Sequence, residues 1–186
     1  MTNKFVTSDN HFYHQNILKF QKEAGTRPFE TLVEMHEKMI ERWNSTVGEY
    51  DTVYIVGDFS FGSWEQTKEI LYQLNGVKHL IEGNHDHTWL NPQAKKYFAS
   101  IQNYLEYRHK SLHVVMSHYP FAQWNRMQYG ALHFHGHTHG NYKAKGRIMD
   151  VGVDNRPNKD YNLWAWDELV DLLLTKEILK HHENTN

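Results

Sequence analysis

Short apolar runs alternate with polar clusters along the chain, and the spacing of the apolar positions changes from one stretch to the next. Lys4-Phe5-Val6-Thr7-Ser8, Thr52-Val53-Tyr54-Ile55-Val56 and residues 77–81 are brief runs that predict strands. Leu32, Met35, Met39, Ile40 and Trp43 recur at three- and four-residue steps, which predicts a helix over 31–47. Glu30, Glu34 and Glu37 crowd its start, where the helix dipole favours negative charge. Ile17, Leu18 and Phe20 mark a looser helical segment before it. Ser63 and Gln66 predict a capped helix that runs to about residue 74 and stops at Asn75-Gly76. Asn91-Pro92 opens a further short helix. Residues 104–108 and 112–116 read as two strands joined by a tight connection, and 131–134 and 147–153 as two more. A closing amphipathic helix is expected over 166–179, with 181–186 frayed beyond it. Helices and strands alternate early and strands dominate later. That pattern predicts an α/β protein with mixed sheets, in one domain spanning 1–186.

Composition narrows the choice. Hydrophobic content of 39% and aromatic content of 14% belong to an ordered protein. The formal net charge is -2 and the 20 Lys and Arg residues form no block, which argues against a dedicated nucleic-acid-binding surface but not against an enzyme handling nucleotides. The chain has no cysteine, so disulfides, thiolate zinc sites and iron–sulfur clusters are excluded. No apolar signal core and no apolar run near 18 residues is present, and a cytoplasmic protein without a membrane partner is expected. The outlier is histidine, with 15 copies.

Five segments share one ending, an apolar run followed by a carboxylate, amide or imidazole. They deliver Asp9 and His11; Asp58; Asn84 and His85; His118; and His137 with His139. In open α/β sheets, ligands bind beyond the carboxyl ends of the strands. Gly57, Gly83 and Gly136 directly precede three of these groups and allow close backbone approach. Counting donors gives two cations: Asp9, His11, Asp58 and His139 around one, and Asp58, Asn84, His118 and His137 around the other, with Asp58 shared. A pair of divalent ions about 3.5–4 Å apart lowers the pKa of a bridging water and neutralises phosphate oxygens during displacement at phosphorus. His85 is left over, free to protonate a leaving group, and Asp86 is placed to orient it. Nitrogen and oxygen ligation without thiolate points to Mn first, with Fe, Zn, Co or Ni as alternatives.

The series Asp9-x-His11, Gly57-Asp58, Gly83-Asn84-His85-Asp86, His118 and Gly136-His137-Thr138-His139 resembles the calcineurin-like metallophosphoesterases, above all their small bacterial and phage-encoded members. The resemblance implies a four-layer α-β-β-α sandwich with two mixed sheets, and a dinuclear site hydrolysing phosphodiesters or phosphomonoesters. It implies the same ligand sets, with His85 as general acid held by Asp86. Ser117 stands where many members have glycine, and the stretch from His11 to Asp58 carries an extra segment with Arg27-Pro28-Phe29 that should border the site.

The remaining candidates lie outside the ligand sets. His14, His87, His133 and His135 sit near the motifs, and His133 and His135 share strand parity with His137. Arg27, Asn125 and Arg126 are candidates for gripping a substrate phosphate. Trp124 is the tryptophan positioned to stack on a base. A compact chain without a lid favours small phosphodiesters, cyclic nucleotides among them. The alternatives are a metal-stabilised scaffold without catalysis and a nuclease.

Overall fold

The computed structural model describes residues 2–180, and the expected fraying of 181–186 lies outside the described residues. Two mixed sheets carry the architecture. The first contains β1 (Lys4–Thr7), β2 (Thr52–Ile55), β3 (Val77–Ile81), β4 (Ser100–Gln102) and β9 (Trp164–Ala165), in the order β4-β3-β2-β1-β9. Its first four strands are parallel, and β9 runs antiparallel to β1. The second contains β5 (Leu105–His109), β6 (Leu112–Met116), β7 (Leu132–His135) and β8 (Ile148–Asp150), in that order. Here β5 pairs antiparallel to β6, while β6, β7 and β8 are parallel.

Parallel strands need crossovers, and helices supply them. α1 (Ile17–Glu23) and α2 (Leu32–Thr46) lie between β1 and β2, and α3 (Trp64–Gln73) between β2 and β3. α2 starts at Thr31, whose side chain accepts the Glu34 N–H at 3.1 Å, and it buries Met35, Met39 and Trp43 at four-residue steps. α3 begins with the expected capping box: Ser63 accepts from Gln66 N–H, and the Gln66 side chain accepts from Ser63 N–H at 2.9 Å. These helices cover one face of the first sheet, with Val53, Ile55 and Leu80 in the shared core. The other face packs on the second sheet through Val6, Val56, Ile81, Met116, Leu132 and Phe134. Burying side chains of this kind contributes about 1.5–3 kcal/mol each. Past β1 and β8 the sheets meet, in a parallel bridge between Ser8 and Gly152.

Several elements differ from the sequence expectation, among them β8, which stops at Asp150 instead of 153. β4 and β9 are three and two residues long, too short to show alternation. α4 (Trp166–Leu174) ends five residues before the expected 179 because Arg147 caps it, its guanidinium donating to the carbonyls of Leu174 and Lys176 at 3.2 Å. Among the described residues, no helix is long and apolar enough to cross a membrane.

Candidate metal centre

The pairing of β1 with β2 continues past both strands. Asp9 N–H donates to Gly57 O at 3.0 Å and His11 N–H to Asp58 O at 3.1 Å, which sets Asp9 and His11 beside Asp58. The turn after β7 closes over them: His137 N–H meets both oxygens of the Asp9 carboxylate at 3.0 Å. From the turn after β3, His85 N–H donates to Asp58 Oδ1 at 3.0 Å. The five strand endings thus converge, from two sheets instead of one. Asp9, His11, Asp58, His137 and His139 all have φ between 47° and 70°. A side chain disfavours this left-handed backbone, and it persists only where the surroundings enforce it. Gly83 and Gly136 permit close approach, since a Cβ would collide with the Asp58 carboxylate at the first and with Ser8 and Asp9 at the second.

Two groups of ligand atoms result, Asp9, His11 and His139 in one and Asp58, His118 and His137 in the other, each within 4.8 Å. Asp9 Oδ1 lies 3.7 Å from His11 Nε2 and 3.9 Å from His139 Nε2. Asp58 Oδ2 lies 3.5 Å from His118 Nε2, which is itself 3.1 Å from Asn84 Oδ1. The same Asp58 oxygen is 3.7 Å from His11 Nε2. His11 Nε2 is buried and, among the described residues, has no hydrogen-bond partner. Atoms that each bind one cation at about 2.0–2.2 Å stand roughly 3–4 Å from one another. The donor set and its spacing fit divalent cations.

Each Nε2 is aimed by what holds the opposite nitrogen. His118 Nδ1–H donates to Val56 O at 2.9 Å, His11 Nδ1 is 2.9 Å from His14 Nδ1, and His139 Nδ1–H donates to Asp154 Oδ2 at 2.6 Å. Asp154 was not anticipated from sequence, nor was Asp150, whose carboxylate accepts from Thr138 Oγ1 at 2.6 Å and Gly140 N–H at 2.8 Å. Asp154 repeats the signal that marked the other five segments, since it follows the apolar stretch Val151-Gly152-Val153.

Electrostatics bind the cluster together. Burial alone would raise the Asp9 carboxyl, but His11, His118 and His139 hold it well below the usual carboxylate range. Burial alone would lower His118, yet the Asp58 and Asp9 carboxylates lift that ring to about 9. A cation bound by His118 must displace this proton. Apparent affinity at that position is therefore expected to rise about tenfold per pH unit from pH 7 to 9 and then level off. Calorimetric titration of cation-free protein checks this, and an affinity flat across the range refutes the role of His118.

Several sequence expectations are corrected. Asp86 does not hold His85: its carboxylate accepts from the N–H groups of Asp58, Phe59 and Gly83 at 2.8–2.9 Å and from Trp89 Nε1 at 3.1 Å. It ties the turn after β2 to the turn after β3, and burial pushes its carboxyl up to about 6. His85 instead faces Asp58, with Nε2 4.0 Å from Oδ2 and 42% of its side chain exposed. Arg27 borders the site as expected of its segment, but it is fully buried and bound to Asp154, so it cannot grip a substrate. Asn125 spends its amide on the Glu106 carboxylate at 3.0 Å, and the Arg126 guanidinium lies over the Tyr129 ring. Trp124 is buried, with its Nε1–H on Ala131 O at 2.9 Å. His133 and His135 bond to Val115 O and Gly136 O, and His87 to Asn84 O. His14 alone of the four touches a ligand candidate's ring.

No family model matches the chain. The uncharacterized protein MJ1445 of Methanocaldococcus jannaschii is 31% identical over 159 residues, covering 81% of each chain. The chain belongs to the MJ1445 family. The Gene 66 protein of Mycobacterium phage D29 is 28% identical over 209 residues and covered over 98% of both chains. The crystal structure of AQ665, a protein of unknown function from Aquifex aeolicus, superposes with a TM-score of 0.69 over 92% of this chain and 100% of that one, at 24% identity. This MJ1445-family chain and AQ665 share a fold.

Proposed function

We propose that this chain is a single-domain metallophosphoesterase that holds two divalent cations, Mn foremost, and cleaves small phosphodiesters in preference to phosphomonoesters. The observation that carries the reading is Asp58 Oδ2, which faces His11 Nε2 at 3.7 Å and His118 Nε2 at 3.5 Å. One carboxylate oxygen is shared between the two groups of ligand atoms. Asp9, His11 and His139 would hold one cation, Asn84, His118 and His137 the other, and Asp58 both. Bound there, the cations would supply an acidified water and neutralise phosphate oxygens.

The chain's own groups do the rest. Asp154 and Val56 O fix the His139 and His118 rings, so that no reorientation is needed on binding. His85 stands at the rim, within reach of Asp58 and open to solvent, where it can donate a proton to a departing oxygen. A four-layer α-β-β-α order is part of the proposal. In keeping with it, the outer face of the second sheet is covered, by the 124–131 segment and by Leu179 beyond α4. A cytoplasmic setting is in keeping with a chain free of cysteine.

The test is hydrolysis of bis-p-nitrophenyl phosphate and of p-nitrophenyl phosphate by Mn-reconstituted protein, with cation content measured on the same sample. Turnover of the diester with two Mn per chain is expected. Two bound ions with no turnover of either ester would instead indicate a scaffold. His85→Ala is expected to keep both ions and lose about 10²–10⁴-fold in rate on esters with poor leaving groups. Unchanged turnover on such an ester removes His85 from the acid role.

A further inference from the structure

A cleft of about 320 Å³ opens directly beside the second group of ligand atoms. Asn84 and His118 form its inner end, and Glu82, Asn103, Tyr119 and Phe121 its walls. We propose that this cleft receives the nucleoside of the phosphoester substrate, with guanine favoured over the other bases. The proposal rests on the phosphoesterase reading and names the substrate class for it.

Size sets the first limit. Small-molecule sites run from about 300 to 1,000 Å³, so this one takes a single nucleoside and excludes a folded polypeptide. Chemistry sets the second. A base needs a flat face to stack on and polar groups to read its edge. Tyr119 supplies the face, being 49% exposed while its ring packs 4.6 Å from that of His137 and 5.4 Å from that of His118. A base lying on it is one ring away from the candidate ligands. Glu82 and Asn103 supply the edge: among the described residues neither side chain has a hydrogen-bond partner.

Glu82 decides which base. An ionised carboxylate only accepts hydrogen bonds. Guanine presents two adjacent donors, N1–H and the N2 amino group, which match two carboxylate oxygens. Adenine and cytosine place a ring acceptor beside their amino group, and uracil flanks one N–H with two carbonyls, so each sets a lone pair against the carboxylate. The negative charge also repels a second phosphate, which suits a nucleoside and opposes a longer strand threaded through the cleft.

The wall is built to stay in place. Ser117 Oγ donates to Tyr119 O at 2.7 Å. Phe121 N–H donates to His133 Nε2 at 3.1 Å, and the two rings stack 5.1 Å apart. His133 Nδ1 is in turn bonded to Val115 O at 3.1 Å, so both its nitrogens are engaged in holding the loop that carries Tyr119. A preformed wall spares the ordering cost of binding.

The test compares kcat/KM of the Mn-loaded full chain on the 2′,3′-cyclic phosphates of guanosine, adenosine, cytidine and uridine, with bis-p-nitrophenyl phosphate alongside. In parallel, binding of GMP and UMP to cation-free protein is measured by calorimetry. Guanosine is expected to exceed uridine about tenfold or more in both measurements, and Glu82→Gln to bring that ratio close to one. Asn103→Ala is expected to reduce it by a smaller factor. Equal constants for the four bases, or a ratio preserved in Glu82→Gln, overturns the proposal while leaving the phosphoesterase reading intact. If no ester is cleaved, that reading fails, and the GMP-to-UMP binding ratio still decides whether the cleft takes guanine.

Discussion

Replacing Asp58 by asparagine is expected to release both cations and to lower phosphodiester turnover by about 10³-fold or more, while the fold stays intact. Asparagine keeps the shape and still offers an oxygen to His85 N–H, which Asp58 Oδ1 accepts at 3.0 Å. What disappears is the charge between His11 and His118, each within 3.7 Å of Oδ2. Cations contribute several kcal/mol to stabilising charge in such a reaction, at roughly 1.4 kcal/mol per factor of ten. Metal analysis after dialysis, with circular dichroism as the check on folding, reads the outcome. A variant retaining two ions per chain would show that Asp58 is not shared.

The second large effect is expected at Arg27. Its guanidinium reaches Asp154 through two hydrogen bonds of 2.8 Å and also holds the carbonyls of Asn10 at 2.9 Å and Asp9 at 2.5 Å. Through Asp154 it steadies His139, and through the two carbonyls it steadies the turn bearing Asp9 and His11. All three ligand candidates of the first group therefore hang on one buried cation. Burial alone would raise the Asp154 carboxyl, but Arg27 and His139 keep it well below its usual range. Arg27→Met leaves that carboxylate buried with only the His139 ring as a partner, and breaking a buried pair typically costs about 3–5 kcal/mol. Urea denaturation at pH 7 should show this loss, and metal titration should show one ion bound in place of two. Pairing Arg27→Met with Asp154→Leu removes the stranded charge, so stability should largely return while the first ion stays lost. A single variant that loses under about 1 kcal/mol and still binds two ions would contradict the clamp.

What the sequence revealed and what it hid divide along one physical line. Asp9, His11, Asp58, Asn84, His118, His137 and His139 all lie within a few residues of the end of a short apolar run, so local pattern alone singles them out as candidates. Arg27 was noticed as a cation and misread as substrate-facing. Its partner lies 127 positions away, and no periodicity reports a buried pair of that span. Asp86 follows His85 in sequence, but the turn beginning there points its carboxylate into the backbone N–H groups of the loop after β2 and of Gly83 in its own turn. Trp124 lies in a loop, where exposure is usual, yet its indole N–H meets the Ala131 carbonyl within the cluster it forms with Val115, Met127 and Ile148. The helices were legible because caps and four-residue steps are local, whereas β9 is two residues long and exists only through its pairing with β1.

The join between the two sheets has a bearing on biosynthesis. His137 N–H reaches back to Asp9, and Asp154 reaches back to Arg27. A polypeptide emerging from the ribosome therefore possesses no assembled centre until the segment around Asp154 has been made, and a translation product ending earlier would lack the carboxylate that pairs with Arg27 and His139. Contacts spanning so much of the chain also slow folding, so the nascent protein spends its vulnerable interval with the centre unassembled.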